Sequence, residues 1–484
     1  MRFIFRADAT QTIGSGHVMR CLSLARELRL RGAQICFAAL EMPAYLVVMI
    51  EEEGYRFKRL PTSARCDAAA DVRATLDGEY GVWACILDHY ELGPVWESLA
   101  QEHAPVLALD DLGRDHVARW VLDQNFYAEP VRRYAGRLAK GVQPLWGPMF
   151  ALLRPEFEAA RKQAKVRDQG IRRVLVFFGG MDADNVTIRA LQAVEAGMPD
   201  SVEVTVIAGA SHPALASLEA WCVQRGTAEL KVQVKEIAPH LLAADLAIGA
   251  GGSSTWERCA CGLPTVTICL ADNQREVVRE GAAAGFLLGF DSVPEVGELA
   301  EVLRVIDRAP GLLAHLSRQA LAVTDARGAR RVADVLLPRQ VQVRTATEAD
   351  ARMIYEWRTH ASVLDVSRVA TKFSYDDHRV WMRGTLADPD RILLVGVHEG
   401  RDIGVIRFDI EAGRAEVSIF LAPDTAGAGL GGALLTVAER QLKASRPDVR
   451  WLDAWVSKDN PSSLKMFNRL GYSTRISRLE KEVA

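Results

Sequence analysis

Short apolar runs alternate with amphipathic stretches through roughly the first two thirds of the chain. The runs at Arg2–Arg6, Ala33–Ala38, Ala84–Asp88, Val106–Leu109 and Trp120–Leu122 read as strands. Near-continuous apolar strands separated by helical sequence predict a parallel sheet covered on both faces. After the charged stretch Glu156–Arg172 the pattern repeats, with strands expected at Arg173–Phe178, Glu203–Ile207, Lys231–Val234, Leu246–Gly249 and Thr265–Ile268. Two open α/β lobes in sequence leave a cleft at the carboxyl ends of their strands, where ligands bind. Helical sequence continues to about Leu337, and Pro338-Arg-Gln reads as a linker. The pattern then changes. A strand at Val341–Arg344 and a helix at Glu348–His360 precede antiparallel-looking strands at Ile392–His398, Asp402–Ile410 and Ala415–Leu421, then a long helix at Gly432–Ser445. The expected class is α/β, with two doubly wound Rossmann-like lobes (1–160 and 161–338) and an α+β domain (341–484).

Composition changes this picture little. The chain has 484 residues, 49% hydrophobic and 25% charged, with a net charge of −3. That balance gives no reason to expect nucleic acid or an anionic membrane as a partner, although a local cationic site is compatible with it. Met1-Arg-Phe-Ile-Phe reads as a first strand rather than a signal peptide, and no apolar run is long enough to span a bilayer. Eight cysteines are scattered without a Cys-x-x-Cys pair, several inside apolar runs (Cys36, Cys85, Cys269). Reduced buried thiols and a cytoplasmic location are expected.

The first strand runs into Ile13-Gly14-Ser-Gly16-His17-Val-Met-Arg20, then a helix with an apolar face at Val18, Cys21, Leu22, Ala25 and Leu28. Gly14 and Gly16 allow close backbone approach to a ligand, and free N–H groups at a helix start attract anions. An imidazole there points to chemistry on a phosphorylated substrate. His17 is a candidate general base, or a simple hydrogen-bond donor to phosphate. Asp8 is a candidate to orient His17, to bind sugar or to cap the turn. Gly14-x-Gly16 lacks the third glycine of a dinucleotide fingerprint, because Met19 stands in its place.

In the second lobe, Gly251-Gly-Ser253-Ser254-Thr255-Trp-Glu257 follows a strand. Ser254 or Thr255 is expected to cap a helix, and the loop amides and hydroxyls to hold phosphate. Glu257 is a candidate acceptor for ribose hydroxyls or a complement to the helix dipole. Gly179-Gly180 makes a second glycine turn, and Asp182-x-Asp184 has either the spacing of a carboxylate pair for a divalent cation or the common placement of carboxylates at a helix start.

These segments, together with Leu87-Asp-His-Tyr90, Leu109-Asp-Asp111 and Leu153-Arg-Pro-Glu-Phe157, resemble the UDP-sugar hydrolases of pseudaminic acid biosynthesis over most of residues 1–335. The region is also similar to the nucleotide lobe of the N-acetylglucosaminyltransferase that forms lipid II. The resemblance implies a GT-B fold and release of UDP from UDP-2,4-diacetamido-2,4,6-trideoxy-β-L-altropyranose, with no metal. It implies His17 as catalytic base, Tyr90 as a nearby active-site residue, UDP held by Ser253–Glu257, and Asn273 and Gln274 reaching sugar or diphosphate.

The last region contains Ala426-Gly427-Ala-Gly429-Leu-Gly431 and, later, Asn460-Pro-Ser-Ser463-Leu-Lys-Met-Phe467-Asn-Arg-Leu-Gly471-Tyr472. Glycines between a strand and a helix present N–H groups to an anion. The two motifs together resemble the GNAT acetyltransferases over residues 341–484. This implies acetyl-CoA as co-substrate, with its pyrophosphate at Gly427, Gly429 and Gly431 and further contacts from Asn460 and Ser463. Trp357-Arg358 and Phe373-x-x-x-x-His378-x-x-Trp381 resemble the acetyltransferase of the same pathway. Two departures stand out. Ala426 opens the glycine turn where the family usually has Gln or Arg. Phe467 occupies the usual tyrosine position and cannot protonate a thiolate, which leaves Tyr472, Ser463 or water. Glu416 and His378 are candidate bases for the amine.

The sequence therefore leads to the expectation of a bifunctional enzyme that acetylates a UDP-4-amino-sugar and then hydrolyses the product. Two other readings fit the same motifs: a GT-B glycosyltransferase with an appended GNAT domain, and a sugar-nucleotide sensor joined to a protein acetyltransferase.

Overall fold

A computed structural model describes residues 1–10, 16–180, 182–337, 341–364, 373–425, 430–457 and 460–473. The chain divides into two compact units, Met1–Leu337 and Pro338–Ala484.

The first unit holds two parallel sheets. The first is built from β1 (Arg2–Ala7), β2 (Gln34–Ala39), β3 (Arg56–Arg59), β4 (Val82–Asp88), β5 (Val106–Leu109), β6 (Trp120–Asp123) and β7 (Gln143–Trp146), in the order β3-β2-β1-β4-β5-β6-β7. Alternation along β1 explains why both faces are covered. Phe3 and Phe5 pack in one apolar cluster with the helix Gly16–Arg29, and Ile4 packs in another with Cys85, Leu87 and Trp96. Strand order reverses between β1 and β4, so the segments after these two strands flank a switch point, the usual ligand crevice of such sheets.

The second sheet contains β8 (Arg173–Phe177), β9 (Glu203–Ala208), β10 (Ala228–Val232), β11 (Leu246–Ala250), β12 (Thr265–Ile268) and β13 (Leu288–Phe290). Its order is β10-β9-β8-β11-β12-β13, again all parallel, with the reversal between β8 and β11.

One segment departs from the expected lobe boundary. The helix Gly328–Leu336, placed by sequence in the second lobe, buries Ala329, Val332, Ala333 and Leu336 in the core of the first. Trp83 Nε1 donates to the carbonyl of Leu336 at 2.8 Å. Gly328 sits where the chain passes back, and a β-carbon there would lie 2.2 Å from the carbonyl oxygen of Ala151.

The second unit is a sheet of β14 (Val341–Thr345), β15 (Arg391–His398), β16 (Arg401–Glu411), β17 (Arg414–Leu421) and β18 (Trp451–Ala454), in sequential order. The first four strands pair antiparallel and β17 pairs parallel with β18. Pairing of β17 with β18 runs only from Arg414–Trp451 to Val417–Ala454, while β17 continues to Leu421. The helix Leu430–Ser445 crosses one face, burying Leu434, Leu435, Ala438 and Leu442. Among the described residues, no helix of either unit is long and apolar enough to cross a membrane.

Candidate functional site

The first cluster stands on the carboxyl ends of β1, β4 and β5. His17 lies in the first turn of the helix that follows β1, and its side chain is 8% exposed. The helix is seated by the face foreseen from sequence, since Val18, Cys21, Leu22, Ala25 and Leu28 are all fully buried. Nδ1 of His17 lies 3.2 Å from Oδ1 of Asp88, the last residue of β4. Its Nε2 is buried without a hydrogen-bond partner among the described residues. Tyr90 presents its ring edge-on to the imidazole, with centroids 4.6 Å apart, and its hydroxyl donates to Asp111 at 3.4 Å. Arg20, one turn along the His17 helix, donates to both oxygens of Asp88 and to Asp111.

Electrostatics keep this imidazole neutral. Burial pushes the His17 pKa below its ordinary value; Arg20 and His89 add to the effect, while Asp88 and Asp111 oppose it. Burial raises the Tyr90 pKa, and Asp111 reinforces it, so the phenol keeps its proton. Gly16 has open space where a β-carbon would stand. Gly14 lies outside the described residues.

Asp8 does not touch His17. Its Oδ1 accepts from Arg6 at 2.7 Å and from the amides of Leu40 and Glu41, and its Oδ2 accepts from His89 Nε2 at 3.1 Å. The Nδ1 of His89 accepts from the amides of Glu91 and Leu92, so His89 is locked as a brace of the loop that carries Tyr90. Although burial works against ionisation, the bonds from His89 and Arg6 hold Asp8 down to a pKa of about 2. Asp88, Arg20 and Asp111 went unassigned in the sequence reading; all three fall within segments that carried the hydrolase resemblance.

The second cluster follows β8 and β11. The loop after β11 must be glycine at Gly251, where a β-carbon would come within 2.6 Å of Val278. The short helix Ser254–Ala260 starts there, with Ser253 as its first flanking residue and no side-chain cap. The expected capping by Ser254 or Thr255 is replaced by another arrangement: both hydroxyls accept from the buried guanidinium of Arg258, which also donates to the carbonyl of Ala250. Glu257 is half-buried 3.4 Å from Arg154, and burial raises its pKa against the pull of that guanidinium. Gln274 accepts from the amide of Leu270 at 3.0 Å and lies beside Gly251 and Gly252; Asn273 precedes it in the first turn of the helix Asp272–Ala283.

Gly180 is exposed, and its carbonyl stands 2.2 Å from where a β-carbon on Gly209 would be. The cation-pair reading of Asp182 does not hold. Its carboxylate accepts from the amides of Val186 and Thr187 and from the Thr187 hydroxyl, closing the start of the helix Val186–Gly197. Among the described residues, no group of three or more His, Cys, Asp or Glu is arranged to hold a metal ion.

In the second unit, Gly427 and Gly429 lie outside the described residues. Gly431 is buried in the first turn of its helix, with Met466 packing so close that a β-carbon would stand 3.1 Å from its Sδ. Asn460 caps the helix Pro461–Arg469 by accepting from the amide of Ser463 at 3.0 Å. Tyr472 donates to Glu439 at 2.7 Å and meets Phe467 edge-on, which commits its hydroxyl to a carboxylate. His378 is buried among Tyr355, Phe373 and Trp381, and Arg358 lies over the last two rings at 5.0 and 4.8 Å. Glu416 is exposed on β17.

The two parallel sheets are a GT-B-like architecture, and the second unit is a GNAT fold. Comparison with known proteins agrees. Residues 352–472 match the model of the acetyltransferase (GNAT) family. The N-terminal unit resembles the UDP-2,4-diacetamido-2,4,6-trideoxy-beta-L-altropyranose hydrolase of Campylobacter jejuni, at 23% identity over 288 residues, 59% of this chain and 98% of that one. It also resembles the spore coat polysaccharide biosynthesis protein SpsG of Bacillus subtilis, at 26% identity over 196 residues, 39% of this chain and 57% of that one. The crystal structure of Acinetobacter baumannii MurG superposes with a TM-score of 0.51 at 14% identity, covering 69% of this chain and 98% of that one, and so shares the fold.

Proposed function

We propose that this chain is a two-domain enzyme of nucleotide-sugar metabolism. The second unit transfers acetyl from acetyl-CoA to the amine of a UDP-4-amino-sugar, and the first unit releases UDP from the acetylated product, UDP-2,4-diacetamido-2,4,6-trideoxy-β-L-altropyranose. The observation that carries the hydrolytic half is the neutral, buried His17, whose Nε2 has no partner among the described residues, beside Tyr90 at a sheet switch point.

In the hydrolytic step, water oxygen bonds to the anomeric carbon while the bond from that carbon to the diphosphate oxygen breaks. UDP departs with the bonding pair, and the water proton passes to His17 and then to solvent. The departing phosphate is a weak base, so donors that receive its charge matter more than a general acid. The loop Ser253–Thr255 supplies amides for that role, Glu257 accepts from the ribose hydroxyls, and Asn273 with Gln274 borders the sugar and diphosphate. Gly14, Gly16 and Gly180 keep backbone close to the ligand.

In the acetyl step the amine nitrogen bonds to the acetyl carbon and the carbon–sulfur bond breaks. The amine gives up one proton, and the CoA sulfur gains one. Gly427, Gly429 and Gly431 cradle the CoA pyrophosphate, with Asn460 and Ser463 alongside. With Tyr472 committed to Glu439, the proton for sulfur comes from water or Ser463. Joining the two sites on one chain raises the local concentration of the second around the intermediate.

The test incubates the whole chain with acetyl-CoA and the UDP-4-amino-sugar while following CoA, UDP and free sugar. His17→Ala is expected to abolish UDP release and spare CoA release; Gly431→Trp is expected to do the reverse when acetylated sugar is supplied. UDP release that needs a second sugar acceptor would overturn the hydrolytic reading in favour of glycosyl transfer.

A further inference from the structure

Asp88 carries two jobs on one buried carboxylate. Arg20 donates to it through Nε at 2.6 Å and through Nη2 at 2.5 Å, and the Cys21 thiol lies 3.6 Å away. The same Oδ1 that takes Arg20 Nη2 stands 3.2 Å from His17 Nδ1. Burial alone would drive such a carboxyl toward its neutral form, but the charge and hydrogen bonds of Arg20 overcome this and hold it ionised. An ionised carboxylate has no hydrogen to give. A lone pair on Nδ1 facing it would be repelled, whereas an N–H there is attracted. Nε2 then carries the free lone pair, and among the described residues Nε2 is the ring atom that has no partner. The groups that act on this ring come from every side: Asp88 from β4, Arg20 from its own helix, Asp111 from the end of β5 and His89 from the loop after β4.

We propose that Asp88 is the positioning residue of the first site, selecting the Nδ1–H tautomer of His17 so that Nε2 is the base, while Arg20 holds Asp88 in place and ionised. This rests on the hydrolytic reading above and adds to it which nitrogen accepts the proton and what enforces that choice. An asparagine at 88 brings one acceptor oxygen to two Arg20 donors and removes the charge that attracts the Nδ1–H. With that oxygen on Arg20 Nε, the amide N–H takes the Oδ1 position and faces His17 Nδ1, which favours the opposite tautomer.

Long-range proton–nitrogen NMR on the full chain with nitrogen-15-labelled histidine reads this directly, with His17→Gln assigning one resonance set among the ten histidines. In the unsubstituted protein at neutral pH, His17 is expected to carry hydrogen on Nδ1 and none on Nε2. In Asp88→Asn the Nε2–H form should grow and the titration midpoint should fall, since a charge that favours the imidazolium is gone. UDP release should drop about 10²- to 10⁴-fold in kcat, the span attributable to general base catalysis, with KM changed less than about twofold. Nε2–H in the unsubstituted protein, a measurement that needs no folded Asp88 variant, overturns the proposal. So does an Asp88→Asn protein with unaltered tautomer and rate. If the tautomer shifts as expected but the unsubstituted chain releases no UDP, Asp88 keeps its positioning role and the hydrolytic reading is what falls.

Discussion

Tyr134 holds its hydroxyl 2.9 Å from a carboxyl oxygen of Asp123, the last residue of β6, and the pair is fully enclosed. The same hydroxyl lies 2.8 Å from Asp110. One hydroxyl hydrogen cannot serve two ionised carboxylates. Asp110 is ionised, because the charge of His116, 3.4 Å away, and hydrogen bonds from Arg114 outweigh its burial. Tyr134 therefore donates to Asp110, and below about pH 7 a protonated Asp123 can donate to the hydroxyl oxygen. Burial pushes the Asp123 pKa up to about 7, in keeping with that arrangement.

The first prediction follows from this sign. The folded state binds a proton at Asp123 that the unfolded chain releases near pH 4. Stability of the first unit should therefore fall as pH rises from about 4 through 7, by up to a few kcal/mol from this group. Asp123→Asn keeps a neutral side chain of the same shape and should flatten that descent. Chemical denaturation of both proteins between pH 4.5 and pH 8, scored on the earlier transition, checks it. Parallel slopes would assign the proton elsewhere.

A second prediction concerns rate. The His17 pKa lies below the ordinary imidazole value, so the base stays unprotonated into mildly acid solution. The acid limb of UDP release, plotted as kcat/KM, should have its midpoint below about 6.5. A midpoint above that value would mean that Asp88 and Asp111 outweigh burial, and that the resting site holds an imidazolium.

Much of the architecture was legible, because its central strands are fully buried. β1, β5, β11 and β12 are apolar runs bounded by turns, and such runs announce parallel strands. The strands that sequence did not mark are the flanking β3, β7, β13 and β18, whose residues are mostly partly exposed or exposed. Edge positions require no apolar run. The helix Gly328–Leu336 was placed in the wrong lobe for a different reason. Its apolar face is plain in sequence, but nothing local says which core receives it. At the site, His17 stood out by its glycine turn. Asp88 is separated from it by about seventy residues, and only the pairing of β1 with β4 brings the two together. Short-range spacing offers Asp182 both a cation and the start of its own helix, and only the contacts choose the helix; it points Ser254 to a cap, whereas that hydroxyl accepts from Arg258.

The chain crossing at Gly328 gives the third prediction. A β-carbon there would overlap the backbone of Phe150 and Ala151, which cannot move aside as a flexible side chain would. Gly328→Ala should cost at least about 2 kcal/mol by overpacking. The loss should appear in the first transition of a melting curve, with CoA release by the second unit retained at temperatures below it. Gly311 offers the control, since a β-carbon there meets nothing within 4 Å. If Gly328→Ala and Gly311→Ala melt alike, the return of this helix to the first lobe is wrong.

Glu257 separates ligand binding from helix electrostatics. A glutamate in the first turn of any helix complements its dipole, and replacing it then costs a few tenths of a kcal/mol in stability with no effect on ligand. A glutamate that accepts from both hydroxyls of a ribose makes charge-assisted bonds worth about 1.5–3 kcal/mol. Glu257→Gln should therefore weaken UDP binding about 10- to 100-fold by calorimetry, while binding of acetyl-CoA by the same preparation stays unchanged. The pKa of Glu257 is raised chiefly by burial, so UDP affinity should also decline at a less acid pH than an exposed glutamate would give. That decline should vanish in Glu257→Gln. Arg154, 3.4 Å away, complicates a simple deletion, because removing the carboxylate frees a guanidinium that attracts diphosphate on its own. The double variant Glu257→Gln with Arg154→Gln resolves this. If it binds UDP no more weakly than Arg154→Gln alone, Glu257 is a dipole complement and the ribose contact belongs to another residue.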